Sequence, residues 1–228
     1  MEGANRSTIL RAALAAIPIA LAAGCAGSVG TTASSMLRHV KESPDPNIRH
    51  LAYSKLASSR AYDSDEEKAE AARVLSEKLA SGKEPVASQV AICRTLGELG
   101  RPEARDAILK AVGDPDEAAV RASACRALGR VGKPDDWTVL GRVMATDTDL
   151  DCRIAAIEGL EAMVVTDPRL DLMLVDGMEH TEPAIRLASL KALRHLSGQD
   201  LGVEPKAWKA YAEGRMKAAS ANTPAARR

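Results

Sequence analysis

One leucine returns through this chain at Leu56, Leu96, Leu128, Leu160 and Leu193, at intervals of 40, 32, 32 and 33 residues. An interval of that length holds two short helices and is too small for a core of its own. Units of this kind must bury their apolar faces on one another, as stacked layers. The surroundings of the leucine repeat as well. In the third unit Val120, Ala124, Ala127, Leu128 and Val131 fall at i, i+4, i+7, i+8 and i+11, one face of a helix. Cys152, Ala156, Gly159, Leu160 and Met163 reproduce that face in the fourth unit. Ile185, Ser189, Ala192, Leu193 and Leu196 do so in the fifth, and Ser88, Ile92, Thr95, Leu96 and Leu99 in the second.

Helix boundaries follow the same rhythm. Asp45-Pro46, Glu84-Pro85, Asp114-Pro115 and Glu182-Pro183 put proline at or near a first turn, where its missing N–H costs nothing. Gly97, Gly100, Gly129 and Gly132 are expected to loosen the helix end, and Pro102 and Pro134 to open the next helix. Those second helices carry Ala104, Ala107, Ile108, Ala111 and Val112, then Val139, Leu140, Val143 and Met144. The longer first interval holds a further helix with Ala71, Val74, Leu75 and Leu79, opened by a capping box from Ser64 to Glu67. The acidic run from Asp63 to Glu67 reads as charge answering the helix dipole rather than as a cation site. Aromatic residues are 2% of the chain and Phe is absent, so Ala, Leu and Val fill the core. Thin layers of closely packed helices suit that composition better than one rounded core.

The phrase Val120-Arg121, Ala124, Ala127-Leu128-Gly129 and Gly132 resembles the short bacterial type of HEAT-like repeat. Arg49, Arg121, Arg153 and Arg186 hold its arginine position in four units, and Gln89 departs from it in the second. The resemblance covers roughly residues 36–213 and implies an all-α fold, a right-handed α-solenoid of about five HEAT-like helical hairpins. The domain organisation read from the sequence is a lipoprotein signal peptide at 1–24, a flexible tether at 25–33, the repeat domain at 34–213 and a disordered tail at 214–228.

The start of the chain has a positive section with Arg6 and Arg11, an apolar stretch from Ala12 to Ala23 broken by Pro18, and then Gly24-Cys25. The stretch is shorter than the roughly 20 residues of a membrane span and has the proportions of a signal-peptide core. Leu21-Ala22-Ala23-Gly24-Cys25 resembles the lipobox of bacterial lipoproteins, which implies acylation of Cys25 and attachment to a membrane. Ala22 stands three places before the cysteine, with Leu21 one place earlier than is typical. Ordinary secretion, with cleavage near Ala22, is the alternative. Two or more acyl chains anchor stably where one is marginal. The expected location is therefore the cell envelope, on its periplasmic or cell-surface face.

Charge narrows the partners. Lys+Arg and Asp+Glu are 31 each, and removal of residues 1–24 takes away Glu2, Arg6 and Arg11, leaving 29 against 30. A nucleic-acid binder needs a basic field, so nucleic acid is not expected. No HExxH, CxxC, GxSxG or phosphate-loop pattern occurs, and His39, His50, His180 and His195 make no ligand pair, so neither metal, cofactor nor catalysis is expected. Cys93 and Cys125 sit at equivalent places one repeat apart, too far for a disulfide. They read, with Cys152, as buried apolar fillers.

The reading is a membrane-anchored interaction or scaffolding module without catalysis that binds an unknown protein partner. The alternative is an accessory factor or lyase-like HEAT protein acting on a partner. Trp137 occupies the place of Arg105 one unit later. With Arg105 and Arg142 it is the candidate partner-binding set, on second helices that the resemblance places on the concave side. Arg49, Arg121, Arg153 and Arg186 read as a structural ladder, paired with carboxylates of the preceding turn such as Asp114, Asp116, Asp149 and Asp151. Trp208, in Gly198-Gln199 through Pro205 to Ala207-Trp208, resembles the closing segment of secreted HEAT proteins and reads as a C-terminal cap rather than a ligand platform.

Overall fold

The computed structural model describes residues 30–222, and the expected signal segment, Cys25 and the last six residues lie outside them. Eleven α-helices and no strand occur among the described residues. They are α1 (Ala33–Glu42), α2 (Pro46–Lys55), α3 (Asp65–Ser81), α4 (Val86–Leu99), α5 (Arg105–Val112) and α6 (Ala118–Val131). After these come α7 (Trp137–Thr146), α8 (Leu150–Ala162), α9 (Arg169–Met178), α10 (Pro183–Ser197) and α11 (Pro205–Asn222). The fold is an all-helical solenoid of five hairpins, each pairing an anchor-leucine helix with the helix before it: α1/α2, α3/α4, α5/α6, α7/α8 and α9/α10. All five anchor leucines have no exposed surface.

The even-numbered helices form one layer and the odd-numbered helices the other. Contact between neighbours is far more extensive in the even layer, above all between α4 and α6 and between α6 and α8, while α7 and α9 barely touch. The closely spaced layer is the inner one of any bend in the stack. The resemblance implied the concave side for the second helices; the anchor helices are the layer in closer contact.

Glycine explains the close spacing. Gly97 and Gly129 lie inside α4 and α6 instead of loosening their ends. A Cβ on Gly129 would stand 2.4 Å from the carbonyl oxygen of Gly159, and one on Gly159 would stand 2.5 Å from that of Cys125. The two backbones touch. Gly100 is the residue that ends its helix, in the left-handed conformation at φ 63°. Small polar side chains tie neighbouring even helices further: Thr95 Oγ1 donates to the carbonyl of Tyr53 at 2.8 Å and Ser123 Oγ to that of Val90 at 3.1 Å. Cys93, Cys125 and Cys152 are buried and unbridged, and burial pushes the first two thiols up to about 12 and the third to about 11.

Ser64 caps α3 as the capping pattern required, accepting from the Glu67 N–H at 3.2 Å, while the Glu67 carboxylate takes the N–H of Asp63. At the far end, residues 214–222 are helical rather than disordered, the continuation of α11. Ala-rich sequence favours helix there, and Arg215 fastens the segment by donating to Asp171 Oδ2 at 2.7 Å and to the Thr166 carbonyl at 3.1 Å. Ala33, assigned to the tether, is buried as the first residue of α1. Trp208 is fully buried, donates its Nε1 to the carbonyl of Gly202 at 3.0 Å and packs edge-on against Tyr211. A ring so enclosed has no face for a ligand. It closes the core where α11 lies on α9.

Candidate functional site

Two ladders fix the hairpins in register, one along each edge of the stack. On the edge of the intra-hairpin turns, Arg49 Nη1 holds the carbonyls of Ser43 and Pro44 while its Nε and Nη2 grip Glu84 at 3.0 to 3.2 Å. Arg121 repeats this with the carbonyl of Asp114 behind it and Asp147 ahead, at 2.9 and 3.0 Å. Arg153 bonds the carbonyl of Met144 and meets His180 Nε2 at 2.8 Å, and Arg186 bonds the carbonyls of His180 and Thr181. The carboxylates come from the turn of the following hairpin, not the preceding one. In Arg49 and Arg121 the preceding turn supplies main-chain oxygens to Nη1, and the Nε–Nη2 edge of the guanidinium faces forward to the acid. Asp116, Asp149 and Asp151 take no part; Asp149 instead caps α8 through the N–H of Cys152.

These pairs are enclosed. The side chains of Arg121 and Asp147 keep 14% and 10% of their exposure, so the 0–1 kcal/mol of a surface pair does not apply. Arg121 holds the Asp147 carboxyl below the usual range, and Arg105 does the same for Asp136.

The other edge carries Asp65–Arg101, Arg105–Asp136, Arg169 over the Trp137 ring at 5.5 Å, and Asp171–Arg215. Arg105 is therefore spoken for: its Nε and Nη2 donate to Asp136, beside Trp137, at 2.7 and 2.6 Å. Trp137 is half-buried against the core under Arg169. Arg142 is exposed and makes no side-chain ion pair among the described residues. None of these three lines a groove described below.

Acid sensitivity follows from the depressed carboxyls. A carboxyl lowered in the folded state contributes stability that is complete above its unfolded pKa, about 3.9, and is lost as pH falls through its folded value. Asp136→Asn is expected to flatten the dependence of stability on pH below about 4, which urea unfolding across a pH series measures. Asp171 runs the other way, because burial raises its carboxyl by more than Arg215 lowers it.

Two clefts that could take a partner lie on the even layer. Between α4 and α6 a cleft of about 370 Å³ has a floor of Val90, Gly97, Ala119 and Ala127 and a rim of Arg94, Arg126 and Arg130 with Glu98. Arg126 and Arg130 also line a second cleft of about 360 Å³, which continues over Glu158, Glu161, Lys191 and His195. Together they make one strip across α4, α6, α8 and α10. Arg126 pairs with Glu158, Arg130 with Glu98 and Lys191 with Glu161, all at the surface, while Arg94 is exposed with no ion pair among the described residues. The α4–α6 cleft therefore carries surplus positive charge over an apolar floor. It suits a segment that offers carboxylates beside aliphatic side chains. No group of three or more His, Cys, Asp or Glu side chains is placed to hold a metal among the described residues, and no described helix is long and apolar enough to cross a membrane.

The strip is written in the repeat, two residues before and two after each of the last four anchor leucines: Arg94, Arg126, Glu158 and Lys191, then Glu98, Arg130, Ala162 and His195. Attention to the second helices missed it. No curated protein matches this chain. Residues 72–161 match the family model described as HEAT repeats, a segment running from within α3 to the end of α8. The hairpins from α3 to α8 are therefore similar to HEAT repeats over that segment.

Proposed function

We propose that this protein is a scaffold, tethered to the cell envelope through an acylated Cys25, that binds an acidic, partly aliphatic segment of a partner protein along the anchor-helix face and performs no chemistry of its own. The observation that carries the reading is the unpaired Arg94 beside an apolar floor, on the layer whose backbone is held most rigidly. A rigid, preformed cleft loses little freedom on binding, and arginine at the rim supplies planar donors for carboxylates. The tether rests on the lipobox-like Leu21 to Cys25. The scaffold reading rests on the repeats.

A photo-crosslinking side chain at the exposed position 119, in the cleft, tests the reading in cells, with the same group at Thr138 on α7 as control. The expected result is a protein adduct of one mass from position 119 that disappears with Arg94→Glu, and none of that mass from position 138. No adduct at 119, or one indifferent to Arg94, removes the binding face. Mass spectrometry of the membrane-extracted chain tests the tether separately, since a free Cys25 removes it.

A further inference from the structure

Arg186 stands in the register of Arg49 and Arg121, and it grips the turn behind it in the same way. Its Nη1 donates to the carbonyls of His180 and Thr181 at 2.9 and 2.8 Å, as Arg49 Nη1 does to those of Ser43 and Pro44 at 2.9 and 3.0 Å. In Arg49 and Arg121 the other edge of the guanidinium, Nε with Nη2, is filled by an acid of the next hairpin. The next described helix after α10, α11, lies on α9 instead. The Nε–Nη2 edge of Arg186 has no partner among the described residues, and the side chain is exposed. Beside it Met178, Pro183, Leu187, Leu190 and Val203 line a groove of about 250 Å³, with Leu187 68% and Val203 64% exposed. A fork already held in place, next to bare aliphatic surface, is a half-built repeat junction.

An acid fills the Nε–Nη2 edge at the two junctions where Nη1 grips the turn behind, whereas Arg153, flanked by Ile154 and Ile157, turns its Nε back to Met144 and meets His180 instead. Where the residues one and four places after the arginine are His50 and Tyr53, the acid is the longer Glu84. Where they are the small Ala122 and Cys125, it is the shorter Asp147. After Arg186 they are Leu187 and Leu190. A helix laid on side chains of that bulk stands farther off, so glutamate is the acid that reaches. We propose that the outer face of α10 docks a helix of a partner protein entered through a Glu-Pro turn, as α4 is entered through Glu84-Pro85. The glutamate closes on Nε and Nη2 of Arg186, and the aliphatic side of the helix covers Leu187, Leu190 and Val203. A second copy stacked end to end does not meet this requirement, because its first hairpin presents Ser43-Pro44 where the acid must stand. The site is separate from the cleft between α4 and α6 and does not depend on it.

The probe is a capped 15-residue peptide copying residues 80–94 with Cys93→Ala, titrated into the full chain while the Nε–Hε NMR signal of Arg186 is followed. A saturable shift of that signal is expected. Glu84→Gln in the peptide, or Arg186→Lys in the protein, which keeps the charge and loses the fork, is expected to weaken binding about tenfold or more. An unmoved Arg186 signal overturns the proposal, and so does binding indifferent to both substitutions. A shift that grows with protein concentration before any peptide is added overturns it too, by giving the surface to a second copy.

Discussion

Arg121→Met is expected to lower stability by about 3–5 kcal/mol, the loss seen when one partner of an enclosed ion pair is removed, and the melting temperature by on the order of 10 °C. The methionine matches the arginine stem in bulk, so the change is chiefly electrical. Asp147 would be left nearly enclosed with its fork gone, keeping the N–H of Asp149 at 2.9 Å, and the carbonyl of Asp114 would lose its donor. The double variant Arg121→Met/Asp147→Leu is expected to recover most of the loss, because an apolar pair of similar volume replaces such a bridge at little cost. Thermal melts and urea titration of the two variants check both statements. A single-variant loss below about 1 kcal/mol would return the pair to the ordinary surface class.

Gly159→Ala is expected to cost about 3 kcal/mol, at the upper end for overpacking a single methyl group. The atom in the way is the main-chain oxygen of Cys125 at 2.5 Å, with Leu140 Cδ1 at 3.0 Å behind it. A flexible side chain could move aside, but a carbonyl inside α6 cannot move without breaking its helix. Gly113→Ala is the contrast. Its nearest neighbour is at an ordinary 3.6 Å and its φ is −92°, so alanine there is expected to stabilise by about 0.4–1 kcal/mol through the unfolded chain. Parallel urea titrations decide between the two effects. Equal behaviour of the two variants would mean that α6 and α8 are not in backbone contact.

The leucine interval and the small-residue face were enough to read the helices, the hairpin count and the burial of Leu56 through Leu193, because burial on a repeated helix face is a property of period alone. The direction of the arginine bridges was not legible. Whether Arg121 reaches Asp114 or Asp147 depends on how far one hairpin is offset from the next, and that offset is set by the backbone contact of Gly129 with Gly159. Those glycines resemble helix terminators in sequence, since Gly129 and Gly132 stand only three residues apart. The cover over Trp137 was not legible for a similar reason: Arg169, the residue over its ring, lies 32 positions away at the start of α9. Arg94 and Arg126 stand in one column of the repeat, but surface charge beside a core leucine is the ordinary composition of a solvated helix face and marks no site by itself. The helical end of the chain was missed because its small polar residues, read alone, offer nothing to bury. Arg215 holds them from outside the pattern.

The unequal packing of the two layers has a mechanical consequence. Backbone pressed against backbone where α6 meets α8 at Gly129 and Gly159 is nearly incompressible, since no side chain lies between the two helices at that point to rearrange. The odd helices are held at their ends by single bridges such as Arg105–Asp136 and Arg169–Trp137, with little contact between α7 and α9. Load on the molecule is thus carried by a stiff spine on one side, while the opposite side can fan open like the slats of a blind.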